Sequence, residues 1–123
     1  METKKEFILR IKGKTKKIAI DIIKLCDQLT LTDSSKIIKY QLIKSCTSVA
    51  ANYRASSVAR SRKEFFSKIC IVNEVADESH FWLELIEELH ICKNKAELKR
   101  LQSEILEICK IITTAKNTSY INP

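Results

Sequence analysis

Among 123 residues there is one glycine, Gly13, and one proline, Pro123 at the end of the sequence. Sheets need turn residues between strands, glycine to supply positive φ and proline to preset a turn. A chain this poor in both has little to reverse a strand with, so it reads as all-α. The length suits one domain, 1–123. At 45% apolar and 30% charged residues the composition is that of a globular protein.

Helix boundaries are written in hydrogen-bonding side chains instead of breakers. Thr3 and Glu6 form a T-x-x-E capping box, which satisfies two orphan amides and opens a helix over about Lys4–Leu29. Ile8, Ile11, Ile18, Ile22, Leu25 and Leu29 share one face of it. Thr15 interrupts that stripe, and Gly13 weakens the first half by about 1 kcal/mol relative to alanine. After the linker Thr30–Ser34, with Asp33 or Ser34 as cap, a second helix is expected over about 34–59. Ile38, Leu42, Cys46, Val49 and Tyr53 form its buried face. Ser61 and Glu64 make a second capping box; without a break there, helices two and three would fuse into a rod of roughly 60 residues. The third helix, about 62–92, carries the widest apolar stripe: Phe65, Ile69, Val72, Ala76, Leu83 and Ile86, broadened by Val75, Trp82 and Leu89. Asn94 and Glu97 open a fourth over about 95–117, with Leu98, Leu101, Ile105, Ile108, Ile112 and Ala115 in a coiled-coil-like seam. The polar end, residues 117–123, is expected to be disordered. Four long helices with short connections predict an antiparallel up-down-up-down four-helix bundle.

The net charge of +7 is banded. Residues 1–17 carry +5, residues 36–63 carry +7 with no acid, and residues 64–92 carry −6. The acid-free segment holds Lys36, Lys39, Lys44, Arg54, Arg60, Arg62 and Lys63, four of them near the second turn. Arginine forks suit phosphate oxygens, and the start of helix three adds positive dipole. Two partners fit such a band: a nucleic acid, RNA or DNA, or the acidic face of another copy. Simple solubility is the third reading. The acidic face is Glu74, Asp77, Glu78, Glu84, Glu87 and Glu88, read as solvated or as an interface and not as acid/base catalysis.

Other chemistry is sparse. One glycine excludes most phosphate-cradling loops, and neither G-x-S-x-G nor H-E-x-x-H occurs. His80, His90 and Cys92 with Glu84, Glu87 or Glu88 make the best metal set, but only one Glu-x-x-His pair, Glu87/His90, exists where a di-metal bundle needs two. No catalytic residue, metal or cofactor is expected. Phe81-Trp82 and Tyr53 could stack on bases, although Trp82 and Tyr53 fall on apolar stripes and read as core. The five cysteines (Cys26, Cys46, Cys70, Cys92, Cys109) are odd in number, lack C-x-x-C spacing and read as free thiols. No apolar run approaches the ~20 residues of a membrane span and the N-terminus does not read as a secretory signal, so a cytoplasmic protein is expected.

The stretch from Gln41 to Ile69 resembles the intervening-sequence proteins, a four-helix-bundle family with members encoded within insertions in bacterial large-subunit ribosomal RNA genes. Gln41, Leu42, Lys44, Ser45, Ser48, Val49, Ala51, Asn52 and Tyr53 match its first motif. Ala59, Arg60, Ser61, Glu64 and Phe65 match a second, and Glu74, Asp77, Glu78, Ser79, Trp82 and Leu83 a third. Gln41, Ser45, Ser48, Asn52, Tyr53 and Trp82 then read as motif residues that serve packing. One departure is Ala55-Ser56, where the family has Glu followed by Ala or Gly. The resemblance implies a homo-oligomeric ring, often a pentamer. By analogy with accessory proteins of diversity-generating retroelements, it also implies nucleic-acid binding and a protein partner such as a reverse transcriptase. The alternative reading, which rests on the charge bands, is a structural or adaptor homo-oligomer with protein partners only, its basic band meeting the acidic face of the next subunit.

Overall fold

The computed structural model describes residues 1–121, with side chains through residue 118. Four helices follow one another: α1 (Lys4–Cys26), α2 (Asp33–Ser56), α3 (Arg62–Glu88) and α4 (Lys95–Ile121). They pack as an all-α bundle in which α1 touches α2, α2 touches α3, α3 touches α4, and α4 returns to α1. The diagonal pairs do not meet, so the helices form a square and each shows one outer face. The α1–α2 and α3–α4 connections lie at the same end, tied by the Thr30 N–H donating to the Ile91 carbonyl at 2.9 Å. The α2–α3 turn closes the opposite end.

The apolar stripes meet on the bundle axis. Ile11, Ile22, Leu42, Ile69, Leu83, Ile86, Leu101, Ile105, Ile108 and Ile112 are fully buried, and burying each such side chain contributes roughly 1.5–3 kcal/mol. Thr15 does not interrupt its stripe. It is 1% exposed, and its hydroxyl donates to the Ile11 carbonyl at 2.9 Å, which lets its methyl pack in the core. Leu89 leaves the stripe of α3, being half exposed beyond the helix end. Between α2 and α3 the core contains a small-residue contact: Ser79 Oγ lies 2.9 Å from Ser45 Oγ, both buried.

Caps decide where each helix stops. The Thr3–Glu6 box forms as expected, with both reciprocal bonds present. At α2 the cap is Thr32 and not Asp33 or Ser34, because Ser35 at the third helical position returns a bond to the Thr32 N–H at 2.8 Å. Ser61 caps α3 by accepting from the Glu64 N–H at 3.0 Å, while the Glu64 carboxylate accepts from the Arg60 N–H at 3.4 Å. Asn94 Oδ1 accepts from the Glu97 N–H at 3.1 Å and caps α4.

Four ends differ from the periodicity. α1 stops at Cys26, since Gln28 and Leu29 turn back in three-residue bonds to Leu25 and Cys26. α2 stops at Ser56, three residues short of Ala59, because the same tightening of Val58 and Ala59 onto Ala55 and Ser56 leaves room for Ser61 to cap. α3 stops at Glu88 in a Schellman motif, His90 N–H to Glu87 carbonyl and Ile91 N–H to Ile86 carbonyl. His90 occupies its left-handed position with φ 54°. α4 continues through Ile121, so the expected disorder from 117 does not hold to that point; residues 122–123 lie outside the described residues. Among the described residues no helix is long and apolar enough to cross a membrane.

Candidate nucleic-acid interface

The seven basic side chains of the 36–63 segment do not form one patch. Lys36 stands in the first turn of α2 and Arg54 in its last, about 27 Å apart at 1.5 Å per residue. Lys36 and Lys39 belong to the end where Thr30 meets Ile91. Lys44 is exposed midway. Arg60 and Arg62 line a cavity at the other end, beside Lys4 of α1, and exposed Lys63 follows them in the first turn of α3. Among the described residues, Lys36, Lys39, Lys44, Arg54 and Lys63 make no ion pair. Arg60 pairs loosely with Glu64, 3.4 Å apart with the arginine 90% exposed.

Arg54 has company that the 36–63 segment does not contain. It lines a groove of about 580 Å³ between α1 and α2 together with Lys12 and Lys16. The floor is Gly13, Ala19, Ala50 and Ala51, with Ile20 and Ile23 alongside. Short side chains on facing helices open this channel; larger ones would fill it. Towards the helix ends a second hollow of about 410 Å³ adds Lys4 and Lys5, and it shares Lys12 with the groove. None of Lys4, Lys5, Lys12 and Lys16 pairs with a carboxylate among the described residues. The signal that points to them is the +5 charge of residues 1–17.

Other lysines and arginines are occupied in holding helices together. Arg100 of α4 reaches Asp21 of α1 at 2.9 Å and also binds Glu97 and Glu104. Lys14 of α1 meets Glu107 of α4 at 2.8 Å, and Lys99 of α4 meets Glu87 of α3. Lys4, Lys5, Lys12, Lys16 and Arg54 are thus unneutralised cations that the fold gathers on one side, along α1 and α2.

The acidic side chains lie elsewhere. Glu74, Asp77, Glu78, Glu84 and Glu88 are exposed on the outer face of α3, diagonally across the square from α1. Phe81 stands among them, 50% exposed and edge-on to Trp82 at 5.0 Å. Trp82 packs partly against the core and donates its indole N–H to Glu78. This acidic setting repels phosphate, so neither ring serves a base-stacking platform for a polyanion. His80 bonds Glu84 at 2.9 Å and exposed His90 closes α3. Among the described residues, no three His, Cys, Asp or Glu side chains are placed to hold a metal ion. All five cysteines are free. Burial pushes the Cys26 and Cys46 thiols up to about 12.

The motif residues divide by role. Ser45 carries the α2–α3 contact. Asn52 folds back onto its own helix, donating to the Ser48 carbonyl at 3.0 Å and the Ser48 hydroxyl at 2.9 Å. Gln41 is half-buried and Tyr53 is in the core. Ala55 and Ser56 of the departure sit at the end of α2, Ser56 buried with its hydroxyl on the Tyr53 carbonyl.

Fold and charge together define a small up-down-up-down bundle with a basic channel along α1–α2 and an acidic ridge along α3. The chain belongs to the 23S rRNA-intervening sequence protein family, whose model matches residues 8–114. It is similar to a crystal structure of a protein of unknown function from the S23 ribosomal protein family of Bacteroides thetaiotaomicron VPI-5482. The two are 26% identical, with a TM-score of 0.77 over 89% of this chain and 97% of that one. No curated protein gives a match.

Proposed function

We propose that the protein is a non-catalytic nucleic-acid-binding bundle, acting as a homo-oligomer, that holds RNA or DNA by its phosphates along the α1–α2 channel. The observation that carries this is the set of unneutralised cations Lys12, Lys16 and Arg54 along a groove with an uncharged floor. Lys4 and Lys5 extend that line. Cations spaced along a channel track a backbone and read no base edges, so binding is largely independent of sequence and steeply dependent on salt.

A second reading has its own observation. The acidic ridge of α3 around exposed Phe81 complements the basic channel. Channel and ridge lie on different faces, so pairing them joins copies head to tail, and a head-to-tail contact closes into a ring when the rotation permits. In that case the channel is a subunit contact and the protein is a structural or adaptor ring.

Charge reversal separates the two. Lys12→Glu, Lys16→Glu and Arg54→Glu are combined, and the variant is measured by light scattering and by fluorescence anisotropy with structured RNA and duplex DNA. Loss of nucleic-acid binding with unchanged mass supports the first reading. Dissociation to monomers, restored by adding Glu78→Lys and Glu84→Lys, supports the second.

A further inference from the structure

The end of the bundle that bears Arg60 holds a cavity of about 660 Å³, within the size range of small-ligand sites. Its walls are apolar and partly aromatic: Phe7 from α1, Phe65 from α3 and Ile111 from α4. Lys4 and Arg60 line it too, and both are exposed. Tyr53 also forms part of the wall and is 5% exposed. Its hydroxyl finds no hydrogen-bond partner among the described residues. Nor is that oxygen sealed away from access. A ring set into the wall with its hydroxyl still accessible is what a site for a polar, flat ligand provides.

We infer that this cavity takes one unpaired base of a bound nucleic acid, with its phosphate on Lys4 and Arg60; this rests on the nucleic-acid reading above. The chemistry fits on three counts. The base plane lies against Phe65 and Phe7, as unpaired bases lie on aromatic rings elsewhere. A base edge offers donors and acceptors to the Tyr53 hydroxyl. The cationic rim faces the same side as Lys4 and Lys5 of the channel, so a strand lying along α1–α2 reaches the cavity at its end. A base paired inside a duplex cannot enter, so the cavity favours ends, loops and overhangs.

The test compares two RNA duplexes of equal charge by anisotropy with the full chain. One carries an unpaired 3′ overhang and the other the same overhang made abasic. The wild type is expected to bind the overhang with bases about tenfold more tightly, the scale of a stacked base. Tyr53→Phe, which removes no protein hydrogen bond, is expected to keep the melting temperature and to lose a few-fold of that preference. Ala115→Phe, which fills the cavity from α4, is expected to abolish the preference and leave the abasic duplex bound as before. Equal binding of both duplexes by the wild type, or a preference that survives Ala115→Phe, overturns the cavity assignment and leaves the channel standing. Failure of both duplexes to bind at low salt overturns both.

Discussion

His90 is an L-residue at a φ of 54° in the position where a helix usually ends on glycine. Left-handed backbone costs a non-glycine residue roughly 1–2 kcal/mol. His90→Gly is therefore expected to stabilise the protein by about 1 kcal/mol in denaturant melts, part of the relief being offset by the freer unfolded chain. Gly13 is the reverse case. It lies inside α1, and a Cβ there meets nothing within 4 Å. Gly13→Ala is expected to raise stability by about 1 kcal/mol, read as a higher melting temperature. Single residues also mark the limit of what sequence conveys. That Thr32 would cap α2 depends on Ser35 bonding back to it, a preference over the adjacent Asp33 and Ser34 that composition does not express. The end of α3 carries no glycine to announce it, so periodicity runs on to Cys92 while the backbone leaves the helix at Glu88.

At the scale of elements, the α1–α4 seam is held by charge as well as by packing. Asp21 is buried, accepts from Lys17 at 2.9 Å and from Arg100 at 2.9 Å, and bridges the two helices. The Lys17 hydrogen bond first, and then Arg100, hold its carboxyl below the ordinary range against the opposing effect of burial. A carboxylate depressed in the folded state contributes stability above its unfolded pKa of about 3.9, and that stability is lost as pH falls through the folded value. Asp21→Asn is expected to cost about 1 kcal/mol at neutral pH, discounted because both cationic partners are substantially exposed. It is also expected to flatten the loss of stability below about pH 4. An unchanged acid limb in Asp21→Asn, followed by circular dichroism, would count against this role. The four apolar stripes were legible because helical spacing repeats through each of them: every residue named on the α2 face, from Ile38 to Tyr53, is buried. The groove was not. It arises where Gly13 and Ala19 of α1 face Ala50 and Ala51 of α2, a juxtaposition of small residues distant in sequence. The basic band of 36–63 pointed at Arg54 but could not say that its neighbours are Lys12 and Lys16.

Across the whole molecule, the charges are sorted by whether the fold uses them. Lys14, Lys17, Lys99 and Arg100 are paired within the bundle. Lys4, Lys5, Lys12, Lys16 and Arg54 line the α1–α2 side with no carboxylate partner among the described residues. The exposed carboxylates Glu74, Asp77, Glu78, Glu84 and Glu88 stand on α3, which does not pack on α1. A 14.2 kDa chain with a cluster of unpaired cations on the α1–α2 side and a ridge of exposed carboxylates on α3 has a field with direction, and such a field steers a polyanion to one face.

The central claim is that phosphates occupy that channel, and salt dependence tests it most directly. Affinity for duplex DNA is measured across salt concentrations for the wild type and for Lys12→Ala, Lys16→Ala and Arg54→Ala singly. The expected result is a log–log slope that becomes shallower by about 1 for each cation removed, since each phosphate contact releases about 0.9 counterions. Alanine at Lys99, whose charge is spent on Glu87, should leave the slope where it was. A slope that does not respond to any of the three channel substitutions, or no binding at low salt, would contradict the account.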